Sequence, residues 1–386
     1  MSHPIRTAAG TAGWGLFLTS SWTWCIGMWL PIVLLGLYGW PGFWLFAIPN
    51  VIGCAAMGYL LKSRAQSQAM VAKHRGPMRW FSVATIAYQL FFLAFIFGSQ
   101  GWLLGAEDRT LLALVVPVIA FAIAIAASFL PQPAWPWLGT LVFVATMVTW
   151  GFVGTSSMTQ IENDGAALPL ELWPLAPLII LGFLACPWLD PTFHRARQCA
   201  PSRHAFGIFG LTFFAVLVFV TNYFHVIVPD PWKLILWFFC YQTIFTMSIH
   251  LREIRLLSAV NAWGSPVFLS ACSVIGIVIG YSLWLLCCQT IATAWLEDTY
   301  LRFLALYGLV FPAWILAFML GRGRWTASNM ILLLIGLAIA LPMAELGMLH
   351  TSKWWLLPAV VVVIATAAII STRSRQQGPM SDPLPA

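Results

Sequence analysis

From its N-terminus onward the chain alternates long apolar runs with short polar or proline-rich connections. The runs fall at 13–39, 41–62, 80–104, 110–130, 136–155, 172–189, 205–228, 233–251, 265–290, 300–320, 327–349 and 354–371. A helix needs roughly 20 mostly apolar residues to cross a bilayer, and the runs are of that order. The apolar–polar alternation of a barrel strand is absent. The pattern predicts an all-α polytopic integral membrane protein of about twelve transmembrane helices in a single transmembrane domain. Trp and Tyr gather near many run ends, where amphipathic rings meet the headgroups.

Composition agrees with the pattern. Of 386 residues, 61% are hydrophobic and 8% charged, against roughly 25% charged in a soluble domain. The mean hydropathy is +0.87. The net charge of +7 would suggest nucleic acid in a soluble chain. Here the basic residues sit in loops, so the partner they imply is the lipid bilayer and not nucleic acid. With residues 1–12 inside and the runs alternating, Arg109, Lys233, Arg302 and Lys353 fall outside and the other fifteen of the nineteen Lys and Arg fall inside. That asymmetry places both termini, including the tail 372–386, in the cytoplasm of a multi-pass cell membrane protein, the inner membrane in a Gram-negative cell. The first run is too long for the core of a cleavable signal peptide.

Candidate chemistry is sparse. The eight cysteines show neither CxxC nor metal spacing, and no P-loop, HExxH or Ser/His/Asp set is present, so the chain does not read as an enzyme. Ionisable groups inside a membrane mark function by default. Glu345 reads as an interfacial or structural carboxylate over a proton site, and His225 as a structural partner of Asn222 one turn earlier over a ligand. His250 stands beside Arg252, Glu253 and Arg255 and reads as an i,i+3 partner on its helix or a headgroup contact. Asn50, Gln89 and Gln242 are neutral groups able to bond between helices or line a cavity. The basic segment 62–79 reads as headgroup-binding.

Two runs look broken. The first, GWGLFLTSSWTWCIGMWLP, places Thr19, Ser20, Ser21, Thr23 and Gly27 ahead of Pro31. The sixth, LWPLAPLIILGFLACPWLDPTFHRA, carries Pro174, Pro177, Gly182, Pro187 and Pro191. Broken backbone at membrane depth survives only inside protein or around a wet cavity. The two runs are five apart, so they point in opposite directions, as an inverted repeat requires. Asp190 precedes Pro191, and proline suits the first turn of a helix. One reading makes Asp190 the N-cap of a short surface helix, 191–199, with an arginine of that helix also able to pair with it. The other makes Asp190 and Arg195 an inner gate.

The stretch FLTSSWTWCIGMWLP…GWPGFWLFAIPNVIG resembles the first core helix and the following helix of the sodium/solute symporter family. Leu189-Asp190-Pro191-Thr192-Phe193-His194-Arg195-Ala196 is similar to the end of that family's sixth core helix, with Asp190 at its polar position and Arg195 at its arginine. The resemblance implies a LeuT-type fold, with spans 1–5 (13–155) and 6–10 (172–320) as inverted repeats and spans 11–12 (327–371) peripheral. It implies a secondary active transporter of a small solute, with a site between spans 1 and 6 and spans 3 and 8 as walls. The substrate contacts it implies are Ser21, Trp22, Trp24, Gly27, Gln89 and Gly182. The sodium contacts are Trp22, Ile26, Thr243 and Thr246. Span 8 lacks the adjacent Ser/Thr pair of the family, which leaves sodium and a proton both open as coupling ion and no other cofactor expected. A non-transporting sensor or partner-docking subunit on the same fold is the alternative.

Overall fold

A computed structural model describes residues 3–100, 109–154, 171–222, 229–258, 292–350 and 352–376. The predicted span 265–290 and His225 lie outside the described residues. The helices are α1 His3–Trp22, α2 Cys25–Tyr38, α3 Trp40–Leu60, α4 Arg64–Lys73, α5 Arg75–Gln100, α6 Arg109–Ala127 and α7 Ala134–Val153. They continue with α8 Leu172–Ala185, α9 Pro191–Cys199, α10 Ala205–Asn222, α11 Pro229–Leu257, α12 Ala292–Ala305, α13 Ala327–Glu345 and α14 Leu356–Gln376. A π-helical stretch extends α12 at Leu306–Val310 and another follows the turn Phe311–Trp314 as far as Leu320. Over their described residues the other predicted spans fall on helices, the first of them on two. Among the described residues eight helices are long and apolar enough to cross a membrane, or up to ten if each of two broken pairs counts as one span. The chain is therefore an all-helical polytopic membrane protein. Large apolar side chains such as Trp137 and Leu211, 76% and 74% exposed, stand on its outer surface, as lipid-facing positions do.

The described residues divide into two compact units. The first holds Met1–Leu168 and Asp190–Tyr300. Its centre is α5, which is buried along 94% of its most apolar window, and α1, whose Phe17 and Leu18 are wholly inaccessible. Helix α1 lies against α7 and α10, and α5 against α6 and α11. Between lipid-soluble helices there is little hydrophobic drive, so close approach through small residues does the packing. A Cβ on Gly139 of α7 would come within 2.5 Å of the Phe17 Cα. At the same crossing Ser20 Oγ donates to the Gly139 carbonyl at 2.8 Å. Helices α2 and α3 are joined by Gly39 alone, at φ 63° and ψ −154°, a conformation open to glycine and strained for other residues.

The second unit holds Pro169–Leu189 and Leu301–Ala386. Its core joins Leu178 of α8, Leu309 and Phe318, Leu333 and Ala340 of α13, and Leu356, Val363 and Ile370 of α14. Glu345 accepts from the Arg302 guanidinium at 2.8 and 3.0 Å and lies 3.3 Å from His350 Nε2. It is thus a half-exposed structural ion pair.

Gly139→Ala should lower the thermal midpoint of purified protein, since overpacking a tight crossing costs about 1–3 kcal/mol. Gly151→Ala on the same helix, where a Cβ meets nothing within 4 Å, should leave the midpoint unchanged or higher. Equal effects of the two would refute the close-approach account of α1 and α7.

Candidate functional site

The first predicted break is present in the first unit. Segments Ile5–Trp22 and Cys25–Tyr38 meet at 63°. Trp24 is extended, at φ −86° and ψ 177°, and no side chain caps α2. The hydroxyl run explains where the helix fails. Thr19 and Ser21 turn their hydroxyls back on the Gly15 and Leu18 carbonyls of their own helix, and such bonds compete with the helical ladder. The released carbonyls are then taken by side chains. Trp24 Nε1 donates to Ser21 O at 2.5 Å, and Gln242 Nε2 of α11 donates to Ser20 O.

A buried polar strip runs beside the break. Trp22 Nε1 donates to Asn50 Oδ1 at 2.8 Å. Thr243 Oγ1 donates to Gln89 Oε1 at 3.4 Å, while Gln89 Nε2, wholly buried, has no hydrogen-bond partner. Thr246 Oγ1 donates to Gln242 O at 3.1 Å, which leaves its lone pairs uncommitted. Ile26 and Gly27 lie on the first turn of α2, and a Cβ on Gly27 would find its nearest neighbours, Phe213 and Trp22 O, at 3.8 Å. Ser21, Trp22, Trp24, Gly27, Ile26, Gln89, Thr243 and Thr246 therefore all belong to the first unit. Gly182 belongs to the second, where a Cβ on it would come within 2.9 Å of Tyr307 O. Tyr300, absent from the sequence-derived set, donates its hydroxyl to Cys25 O at 3.1 Å and accepts at its carbonyl from Tyr88 at 2.9 Å.

Below the break lies an aromatic floor. Trp22 packs on Trp24 at 4.4 Å and edge-on to Phe193 at 4.8 Å. Trp24 also meets Phe81 at 5.4 Å and His250 at 5.7 Å. His250 is therefore no headgroup contact. It is wholly buried, with Nδ1 3.0 Å from Ser82 Oγ, because its face of α11 turns toward α1 and α5.

Under this floor lies α9. Asp190 caps it, with Oδ1 accepting from Thr192 N at 2.7 Å, while the buried Oδ2 has no partner. Arg195 does not pair with Asp190. It grips Glu253 of α11 through Nε at 3.0 Å and a second nitrogen at 2.8 Å. Arg252 reaches the same carboxylate at 2.8 Å. Ser67 Oγ of α4 lies 2.9 Å from His194 Nδ1, and Arg197 donates to the carbonyls of Leu61 and Lys62, both at 2.9 Å. The sequence reading placed Glu253 only as a neighbour of His250, although an acid amid so many arginines was a usable signal of an ion pair. Between α4 and α5, burial and the nearby Lys73 and His194 charges hold His74 down to about 4.

Two consequences are measurable. Asp190→Ala should cost about 1 kcal/mol through the lost cap, whereas Asp190→Asn should be at least as stable as wild type, because it keeps the cap and removes a buried carboxylate. Equal destabilisation by both in thermal unfolding would refute this. His74 is depressed in the fold, so its contribution is complete above the ordinary value of 6.5 and is lost as pH falls toward about 4. His74→Gln should flatten the stability profile across that window, and an unchanged slope would overturn the assignment.

No protein-family model matches the chain, and no curated protein matches it. Among solved structures it is similar to a Na+-coupled sialic acid symporter in a substrate-bound outward-open state, at 13% identity and a TM-score of 0.51. The match covers 98% of this chain and 91% of that one. At that identity the likeness establishes the fold, and the chain has the polytopic helical fold of a sodium-symporter-like transporter.

Proposed function

We propose that the chain is a secondary transporter moving a small solute by alternating access, with the solute held at the break between α1 and α2. The observation that carries this is the unwound Thr23–Trp24 backbone beside the unpartnered amide nitrogen of Gln89. An uncapped helix start concentrates free N–H groups and the positive end of the helix dipole. Together with the Gln89 donor it suits a solute bearing a carboxylate or another anionic, hydrogen-bond-accepting group. Ser21, Trp22, Trp24 and Gly27 of the first unit would line the pocket. The similar symporter couples sialic acid to Na+; for this chain the solute is defined by its charge alone.

The cation site in this reading uses the Trp22 and Ile26 carbonyls and the Thr243 and Thr246 hydroxyls, a set of hard oxygen ligands. The aromatic floor and the Arg195–Glu253 pair form the inner closure. A solute bound above Trp22 cannot reach the α9 side until that pair parts. Residues 13–155 and 172–320 are the two inverted repeats in this reading, with 327–371 peripheral.

Sodium at about ten times its Kd stabilises a protein by about 1.4 kcal/mol. Purified protein should therefore melt higher in sodium chloride than in potassium chloride of equal strength, and Thr246→Val should remove the difference while preserving the potassium midpoint. No sodium shift in wild type eliminates sodium coupling and leaves the proton. Uptake of anionic solutes into proteoliposomes, driven by either gradient, tests transport itself. A panel with no gradient-dependent accumulation refutes the transporter reading.

A further inference from the structure

On the outside of the first unit, α3 and α10 cross tightly and then part. At the crossing a Cβ on Gly58 would fall within 2.0 Å of the Phe206 ring. Beyond it lies an open groove of about 540 Å³ lined by Val51, Ala55, Ala56, Gly207, Gly210 and Leu211, among others. The small residues make the groove. Gly210 and Ala55 leave only backbone and one methyl at its floor, and Gly207 lets Tyr59 lie across its end, since a Cβ there would come within 2.7 Å of the Tyr59 hydroxyl. The groove has two closed ends. At one, Trp44 stacks on Phe214 with centroids 6.0 Å apart. At the other stands Tyr59, with His204 Nδ1 3.5 Å from its hydroxyl and the Arg203 guanidinium 5.7 Å over its ring. From Val51 to Tyr59 the channel runs about 12 Å, at ~1.5 Å per helical residue.

The charge at the Tyr59 end is one-sided. Arg197 feels the positive charges of Arg64 and Arg203. Arg197 donates to the Leu61 and Lys62 carbonyls, and Arg64 to the Ala200 carbonyl. Among the described residues no carboxylate forms an ion pair with any of the three. Two cations held on neutral carbonyls and a third over the Tyr59 ring leave a local positive field at one corner. That corner adjoins an apolar channel opening sideways on the helices' lipid-facing surface.

We propose that the α3–α10 groove is a binding site for an anionic phospholipid, with an acyl chain along Ala55, Ala56 and Gly210 and the phosphate at Arg203 and His204. The occupant follows from the complementarity of the two halves. A zwitterionic lipid satisfies the channel and leaves the arginine corner unneutralised. A free anion satisfies the corner and leaves the channel empty. The Arg203 and His204 end belongs to the basic face, so the lipid comes from the cytoplasmic leaflet, which is the anionic one. This site is independent of the transport reading.

The test uses delipidated full-length protein in detergent, titrated with phosphatidylglycerol, with phosphatidylcholine of the same acyl chains, and with inorganic phosphate, with bound lipid counted by native mass spectrometry. Phosphatidylglycerol should bind and raise the thermal midpoint, with phosphatidylcholine weaker. Arg203→Ala should weaken phosphatidylglycerol about fivefold, the effect of one basic residue near an anionic surface, and should narrow the gap between the two lipids. Ala56→Phe, which fills the channel from a lipid-facing position, should weaken both lipids and leave the preference between them intact. Equal binding of the two lipids by wild type, or unchanged lipid binding in both variants, overturns the proposal. So does stabilisation by inorganic phosphate that matches the lipid, or a dimer in detergent that Ala56→Phe dissociates.

Discussion

A backbone carbonyl freed from its helix inside a membrane must find a donor in the protein, and the first unit is organised around that requirement. The break at Thr23–Trp24 releases carbonyls that side chains of the protein take up. Gln242 crosses from α11 to serve Ser20, and the Trp24 indole folds back on Ser21. Asn50 fixes Trp22 from α3, and Tyr300 reaches Cys25 from α12. The Gln242 bond repairs the break and ties α11 to it, while the Asn50 and Tyr300 bonds tie α3 and α12 to its flanks. The break is thus a junction at which side chains of α3, α11 and α12 meet.

The face bearing α9 solves a different problem. A lone carboxylate as buried as Glu253 would be costly, and its position is tolerable because Arg195 and Arg252 both reach it. Such a pair is worth little as a source of stability when compared with well-packed apolar groups. Its value is directional, since removing either partner strands a charge. The contact is therefore well suited to hold or release as a unit. Asp190 contributes at the other end of α9 by fixing where the helix starts, which in turn sets the angle at which Phe193 meets Trp22.

Much of this was legible in the sequence. Apolar runs give membrane helices directly, because in lipid length and hydropathy alone decide whether a segment can span. The hydroxyl-rich stretch before Pro31 identified a weak point because Ser and Thr offer the backbone rival partners. Asp190-Pro191 identified a helix start for the same local reason. What could not be read was which face of a uniformly apolar helix turns inward. Such a helix carries little amphipathic signal, so the burial of His250, the crossing at Gly139 and the grip of Arg195 on Glu253 emerge only from packing. Gly182 illustrates the same limit, since its tight approach to Tyr307 depends on a partner more than a hundred residues away.

The single-residue link at Gly39 has a mechanical consequence. Helices α2 and α3 share one hinge of two torsions, and the turn is braced from inside, because Gly42 lies so close to Leu34 O that a Cβ there would come within 2.4 Å. With no slack in the connection, α2 cannot tilt without swinging α3 as the other arm of a bell crank. The start of α2 is the upper lip of the break, and α3 is one bank of the outer groove. A tilt of α2 at the buried lip would therefore carry with it the α3 bank of the lipid-facing groove.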